Sequence, residues 1–208
     1  MCFSATASFI AGASLSTAGV ITLQKTTKKE IPLALIPLLF GLQQITEGLV
    51  WISLTKNIFW LQKIATQMYV LFSHVLWPVF VPIAIGLVET VGWRKKIITV
   101  LVIIGAFVAF NNVWRVTMFP VTSEILHHSI NYILDRPSQT FIMYLYIIVT
   151  CFSCLLSSHK ILRLLGFLAF LFLLIANYFY TVTLTSVWCF FAAILSFLIY
   201  WFFKSKNN

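Results

Sequence analysis

Seven long apolar stretches separated by short polar connections account for nearly all of this chain, and a run of roughly 20 apolar residues is what a helix needs to cross a bilayer. The stretches are Ala5 to Leu23, Ile31 to Leu54, Ile64 to Val88, Ile97 to Phe119, Thr140 to Leu156, Ile161 to Tyr180 and Leu184 to Phe203. In hydrocarbon each backbone N–H and C=O must find its partner within the segment, so each stretch reads as a helix. With 61% hydrophobic and only 9% charged residues, and a mean hydropathy of +0.98, the chain is expected to be an all-α integral membrane protein. The spans leave no room for a soluble domain, so residues 1–208 form one seven-helix transmembrane domain. The opening MCFSATASF lacks a basic leading region and a small-residue cleavage site. It is read as mature sequence, with the first span as an anchor.

Basic residues set the orientation. With the N-terminus outside, ten of the 14 Lys and Arg fall on the cytoplasmic side: Lys25, Lys28, Lys29, Arg94, Lys95, Lys96, Lys160, Arg163, Lys204 and Lys206. Lys56, Lys63, Arg115 and Arg136 remain outside. That bias predicts an outside N-terminus and a cytoplasmic C-terminus. Trp60, Trp114 and Trp188 then lie near the outer interface and Trp93 and Trp201 near the inner one, while Trp77 is deep. The formal charge of +9 reads as a topology signal with attraction to anionic headgroups. No basic stripe with interleaved aromatics points to nucleic acid. Cys2, Cys151, Cys154 and Cys189 make no disulfide framework.

The long connection Pro120 to Gln139 carries Ile125, Leu126, Ile130, Ile133 and Leu134 at helix-like spacing, which predicts a short interfacial helix over the bundle mouth. In the first span Ser4, Ser8, Gly12 and Ser16 recur every four residues, a stripe that lets another helix approach closely. Spans one to three and five to seven share no motif that would mark an internal repeat.

The polar residues inside the spans are the candidate site, because such groups are costly in hydrocarbon. Gln43, Gln44 and Glu47 share one face of the second span. By helical rise Glu47 lies ~10 Å deep, His74 ~15 Å and Asn111 and Asn112 ~11 Å from the outer end, depths compatible with mutual contact. Pro78 cannot donate to the carbonyl of His74, nor Pro82 to that of Pro78, so freed carbonyls and a kink are expected beside the histidine. Two readings stay open. In one, Glu47 and His74 hold zinc or copper with Cys2, His127 or His128, and Gln43, Gln44, Asn111, Asn112 and Arg115 complete the pocket. In the other, Glu47 pairs with Arg115 and His74 bonds an amide, a structural arrangement. His127 and His128 are adjacent, so at most one would join a given site.

The MCFSATASF opening, the LFGLQQITEGLVW block and the SHVLWPVFVP block together resemble a family of small bacterial multi-pass membrane proteins of unknown function. The resemblance implies a bacterial cytoplasmic-membrane protein whose family features include Cys2, Glu47 and His74. Other heptahelical families fit less well. A retinal protein needs a Schiff-base lysine in the last span, and Leu184 to Phe203 has none. Zinc-dependent ceramidase-like hydrolases share the span count but need several His and Asp ligands.

The functional expectation is therefore a membrane-embedded metal-dependent hydrolase or lipid-modifying enzyme, with Glu47 and His74 as catalytic groups acting on a lipid or small solute. A metal would activate water and polarise an ester or amide. The alternatives are an ion or small-solute transporter or sensor using the same residues, and a structural membrane partner with no ligand.

Overall fold

The computed structural model describes residues 4–24, 26–126, 128–134 and 140–206. Among them seven helices follow in order: α1 (Ala5–Leu23), α2 (Ile31–Thr55), α3 (Phe59–Val88), α4 (Gly92–Met118), α5 (Thr140–Leu155), α6 (Lys160–Phe179) and α7 (Leu184–Lys206). Six are long and apolar enough to cross a membrane, and α5 is shorter. The bounds of α1 are those expected. The largest shifts are at α3, which starts at Phe59 rather than Ile64, and α4, which starts at Gly92 rather than Ile97.

The small-residue stripe does what its spacing predicts. A Cβ on Gly12 would sit 2.7 Å from Cγ1 of Ile45, and one on Gly19 would sit 2.6 Å from the backbone N of Leu38. Only glycine lets α1 lie this close to α2. Ser8 and Gly12 are buried in the same seam.

At one end of the bundle an apolar cluster that includes Leu33, Ile85, Ile98, Leu162, Ile199 and Phe203 is sealed by two carboxylates in the turns. Glu89 accepts from the backbone N–H of Thr90, Val91 and Ser158 at 2.9, 2.8 and 2.7 Å, which ties the α3–α4 turn to the α5–α6 turn. Burial pushes its carboxyl up, but the hydrogen bonds from Val91, Ser158 and Thr90 outweigh this and hold it below its usual value. Glu30 accepts from Thr27 and pairs with Lys206, joining the α1–α2 turn to the end of α7.

The connection between α4 and α5 is not the interfacial helix expected. It is an antiparallel hairpin, β1 (Val121–Leu126) and β2 (Ser129–Leu134), so the all-α reading is corrected to a helical bundle with one β-hairpin. Two physical reasons override the helical spacing. Val121, Thr122, Ile125, Ile130 and Ile133 are β-branched and favour extended backbone. The pairing of Leu126 with Ser129 also leaves only two residues for the reversal, and His128 has a φ of 65°, the geometry that tight hairpins require.

The hairpin is tied down on several sides. Gln62 donates to the carbonyl of Ser123 at 2.8 Å, Thr66 and Ser123 share a 2.7 Å hydroxyl contact, and Ser129 donates to Thr183 at 2.9 Å. Ile130 is buried with Val50, Trp51 and Ala65. The hairpin thus lies across the end of α2, α3 and α7.

Candidate functional site

The site starts from a defect in α3. Residues Leu71–Leu76 form a π turn immediately ahead of Pro78. A π turn would send the carbonyl of Ser73 to the N–H of residue 78, and an α turn would send that of His74 there, but proline has no N–H. Both carbonyls therefore need donors from other helices. Tyr146 of α5 donates its hydroxyl to the carbonyl of Ser73 at 2.6 Å, and Asn112 of α4 donates its amide to that of His74 at 2.8 Å. The carbonyl of Pro78, freed in turn by Pro82, points at Gly105 of α4 so closely that no Cβ fits there. The freed carbonyls expected from the sequence, those of His74 and Pro78, are present, and the π turn adds that of Ser73; the His74 and Ser73 carbonyls hold α4 and α5 in place.

These contacts frame a cavity of about 270 Å³ between α3, α4, α5, α6 and α7, covered by β2. His74, Asn112, Arg115 and Tyr132 give it polar atoms, and Ile142, Met143, Leu173 and Leu184 give it apolar walls. His74 is fixed by a 2.8 Å contact between its Nδ1 and the hydroxyl of Ser73. Arg115, buried near the end of α4, brings a cation with five N–H donors in a planar fork. No carboxylate is among the described residues that line the cavity. Tyr132 stacks on Tyr69 of α3, with ring centroids 4.3 Å apart, which holds the hairpin over the mouth.

Glu47 stands elsewhere. It is fully buried and lines neither this cavity nor the smaller one beside it. Its Oε1 accepts from the hydroxyl of Ser186 in α7 at 2.6 Å. Gln43, one turn earlier, accepts from the indole N–H of Trp77 at 2.7 Å, and Trp77 stacks on Phe40 at 3.9 Å. Gln44 is equally buried. The polar face of α2 thus fastens α2 to α3 and α7 instead of facing the cavity.

Residues 1–208 match the family of unknown function DUF6629. The chain belongs to that family. The match contains the three blocks through which the resemblance was seen. Neither a curated protein nor a solved structure matches the chain. DUF6629 carries no described activity, so the chemistry must be argued from the geometry.

Of the residues expected at one site, His74, Asn112 and Arg115 come together at the cavity. Glu47, Gln43 and Gln44 form the neighbouring buried cluster, Asn111 does not line the cavity, and His128 is exposed at the hairpin turn. Cys2 and His127 lie outside the described residues. Among the described residues no three His, Cys, Asp or Glu side chains converge as metal ligands. Among the described residues of the cavity His74 and Cys189 are of metal-ligating type, and the buried guanidinium that shares the cavity with them would repel a divalent cation at close range.

Sequence reasoning missed Ser73, Tyr132, Tyr146, Ser186 and Trp188. Ser and Tyr are inexpensive in membrane helices and raise no signal individually. The one available clue was Pro78, which orphans the carbonyl of His74 and so demands a donor from a neighbouring span.

Proposed function

We propose that the protein binds an anionic amphiphile, a molecule with a carboxylate or phosphate head, in the cavity beneath the hairpin. The carrying observation is that a buried Arg115, with His74 and Asn112, lines a cavity whose remaining walls are largely apolar. A guanidinium is the side chain best matched to a carboxylate or phosphate, because its paired N–H groups meet two oxygens at once. The imidazole and the amide supply further directional contacts, and the apolar walls suit the hydrocarbon next to the head.

The hairpin face is taken as the outer side, with the C-terminus cytoplasmic, because the opposite end carries Lys28, Lys29, Arg94, Lys95, Lys96, Lys160, Arg163, Lys204 and Lys206. The ligand would then arrive from outside or from the outer leaflet. Reporter fusions after Asn208 should be active only in the cytoplasm, and tags between Pro120 and Gln139 should be exposed outside.

The binding reading is tested by sign. Dodecyl phosphate should raise the unfolding midpoint of the purified protein in lipid nanodiscs, whereas dodecyltrimethylammonium, with the same chain and the opposite charge, should not. Arg115→Gln should remove the shift while the protein stays folded by circular dichroism. Equal shifts from the two probes, or a shift unchanged in Arg115→Gln, would refute the reading.

A further inference from the structure

Behind the polar cavity lies a second, smaller space of about 70 Å³, bounded by α2, α3, α5, α6 and α7. The two share Tyr146, Trp188 and Cys189 as common wall. The rings of Tyr146 and Trp188 meet edge to face with centroids 5.8 Å apart, closing the neck between the chambers.

The polar groups around the inner chamber are turned away from it. The Tyr146 hydroxyl is held by the carbonyl of Ser73, and the Trp188 indole N–H donates to the carbonyl of Ala169 at 3.0 Å. Trp77 gives its N–H to Gln43. Thr150 donates to the carbonyl of Tyr146 at 2.8 Å, and Ser196 donates to that of Ala193 at 2.6 Å. What faces the space is therefore ring carbon, aliphatic carbon and sulfur, including Phe40, Leu165, Cys151 and Cys154. A chamber of this kind does not recruit water and accepts apolar groups.

We infer that the ligand is a single-chain amphiphile of medium length, its head at Arg115 and His74 and its chain parting the Tyr146–Trp188 contact to enter the chamber floored by Trp77 and Phe40. This rests on the anionic-head reading above and adds the identity of the tail. A polar solute would find no partner in the inner chamber, and a two-chain lipid would not pass one neck. The buried face of α2 acquires a role here. Gln43 takes the Trp77 N–H, so that the indole offers only carbon to the chain.

The test uses an alkyl phosphate series from ethyl to hexadecyl with the full-length protein in nanodiscs. Affinity should rise about fourfold per added CH2, the increment of hydrocarbon burial, and then stop rising once the chamber is full. A dodecyl phosphate with a terminal diazirine should crosslink on irradiation to peptides containing Trp77, Cys151 or Cys154. Ala192→Phe fills the inner chamber, so it should flatten the length dependence and remove those crosslinks while ethyl phosphate binding is kept. Ala192→Leu serves if the larger residue does not fold. Affinity independent of chain length, or crosslinks confined to lipid-facing residues such as Phe141 and Phe170, with binding still lost in Arg115→Gln, would overturn the tail assignment alone. Failure of every alkyl phosphate to bind would overturn both readings.

Discussion

Asn112 gives the sharpest test of how the cavity is built. Asn112→Leu keeps the side-chain volume close and deletes the donor that meets the carbonyl of His74 at 2.8 Å. That carbonyl lies between α3 and α4, and Pro78 offers it no N–H. A buried acceptor left without a donor costs ~1–3 kcal/mol. Interhelical hydrogen bonds measured in a membrane protein average only ~0.6 kcal/mol with a maximum near ~1.7, so a loss of about 1–2 kcal/mol is expected for ligand-free protein. Pro78→Ala sharpens the argument, because alanine restores an N–H that a regular α turn directs to His74. In that background Asn112→Leu should cost about 1 kcal/mol less, a coupling large enough to resolve in a double-mutant cycle. The four proteins would be compared by unfolding in lipid–detergent micelles, with helix content followed by circular dichroism. Equal costs of Asn112→Leu in both backgrounds would show that Asn112 does not replace the missing donor, and the account of the cavity frame would fail.

Gly105→Ala should destabilise by at least about 2 kcal/mol, since its Cβ would land on the carbonyl of Pro78 and force α3 and α4 apart; a thermal midpoint unchanged from wild type would contradict the close approach. Glu47→Gln should leave dodecyl phosphate affinity within about twofold of wild type, because Glu47 lines neither chamber and a glutamine oxygen can still accept from Ser186; a large loss measured by titration would move Glu47 into the site. The Glu89 carboxyl is held below its usual value, so its contribution is complete above the unfolded-state value of about 4.5 and is lost as pH falls through the lower folded-state value. Wild-type stability should therefore drop on acidification below that range, and Glu89→Gln should show a smaller drop between neutral and acid pH. Matching pH profiles for the two proteins would remove Glu89 as the clamp between the α3–α4 and α5–α6 turns.

The helix that carries each polar residue could be read from the sequence, but the direction the residue faces could not. With α3 starting at Phe59 rather than Ile64, His74 lies farther from its helix end than Glu47 does from Thr55, and Glu47 turns toward Ser186 of α7 while His74 turns toward Arg115 and the cavity. Direction depends on the rotation of each helix against its neighbours, and in this bundle that rotation is set partly by close backbone contacts at Gly12, Gly19 and Gly105. The stripe in α1 was legible because its spacing repeats. Gly105 was not, because a single glycine in an apolar run has no pattern. The hairpin was missed for a related reason: its five apolar residues fit a helical period in a segment too short to exclude a strand, and what decides between them is anchoring by Gln62, Thr66 and Thr183, residues distant in the chain.

Pro78 connects what was legible to what was not. Its missing N–H is evident from the sequence, and the need for an outside donor to the His74 carbonyl follows from chemistry alone, whereas the second need, at Ser73, comes with the π turn, and the identity of the donors is not legible. Once Tyr146 and Asn112 supply them, α5 and α4 are held on two sides of the kink, and Arg115, three residues beyond Asn112 on the same face, is carried to the cavity wall. Tyr146, bound by its hydroxyl, is at the same time positioned to form the neck with Trp188. The backbone defect that makes α3 costly to bury is thus also what brings the cation, the imidazole and the neck to one place, and a protein that repaired it with a regular helix would lose the cavity along with the strain.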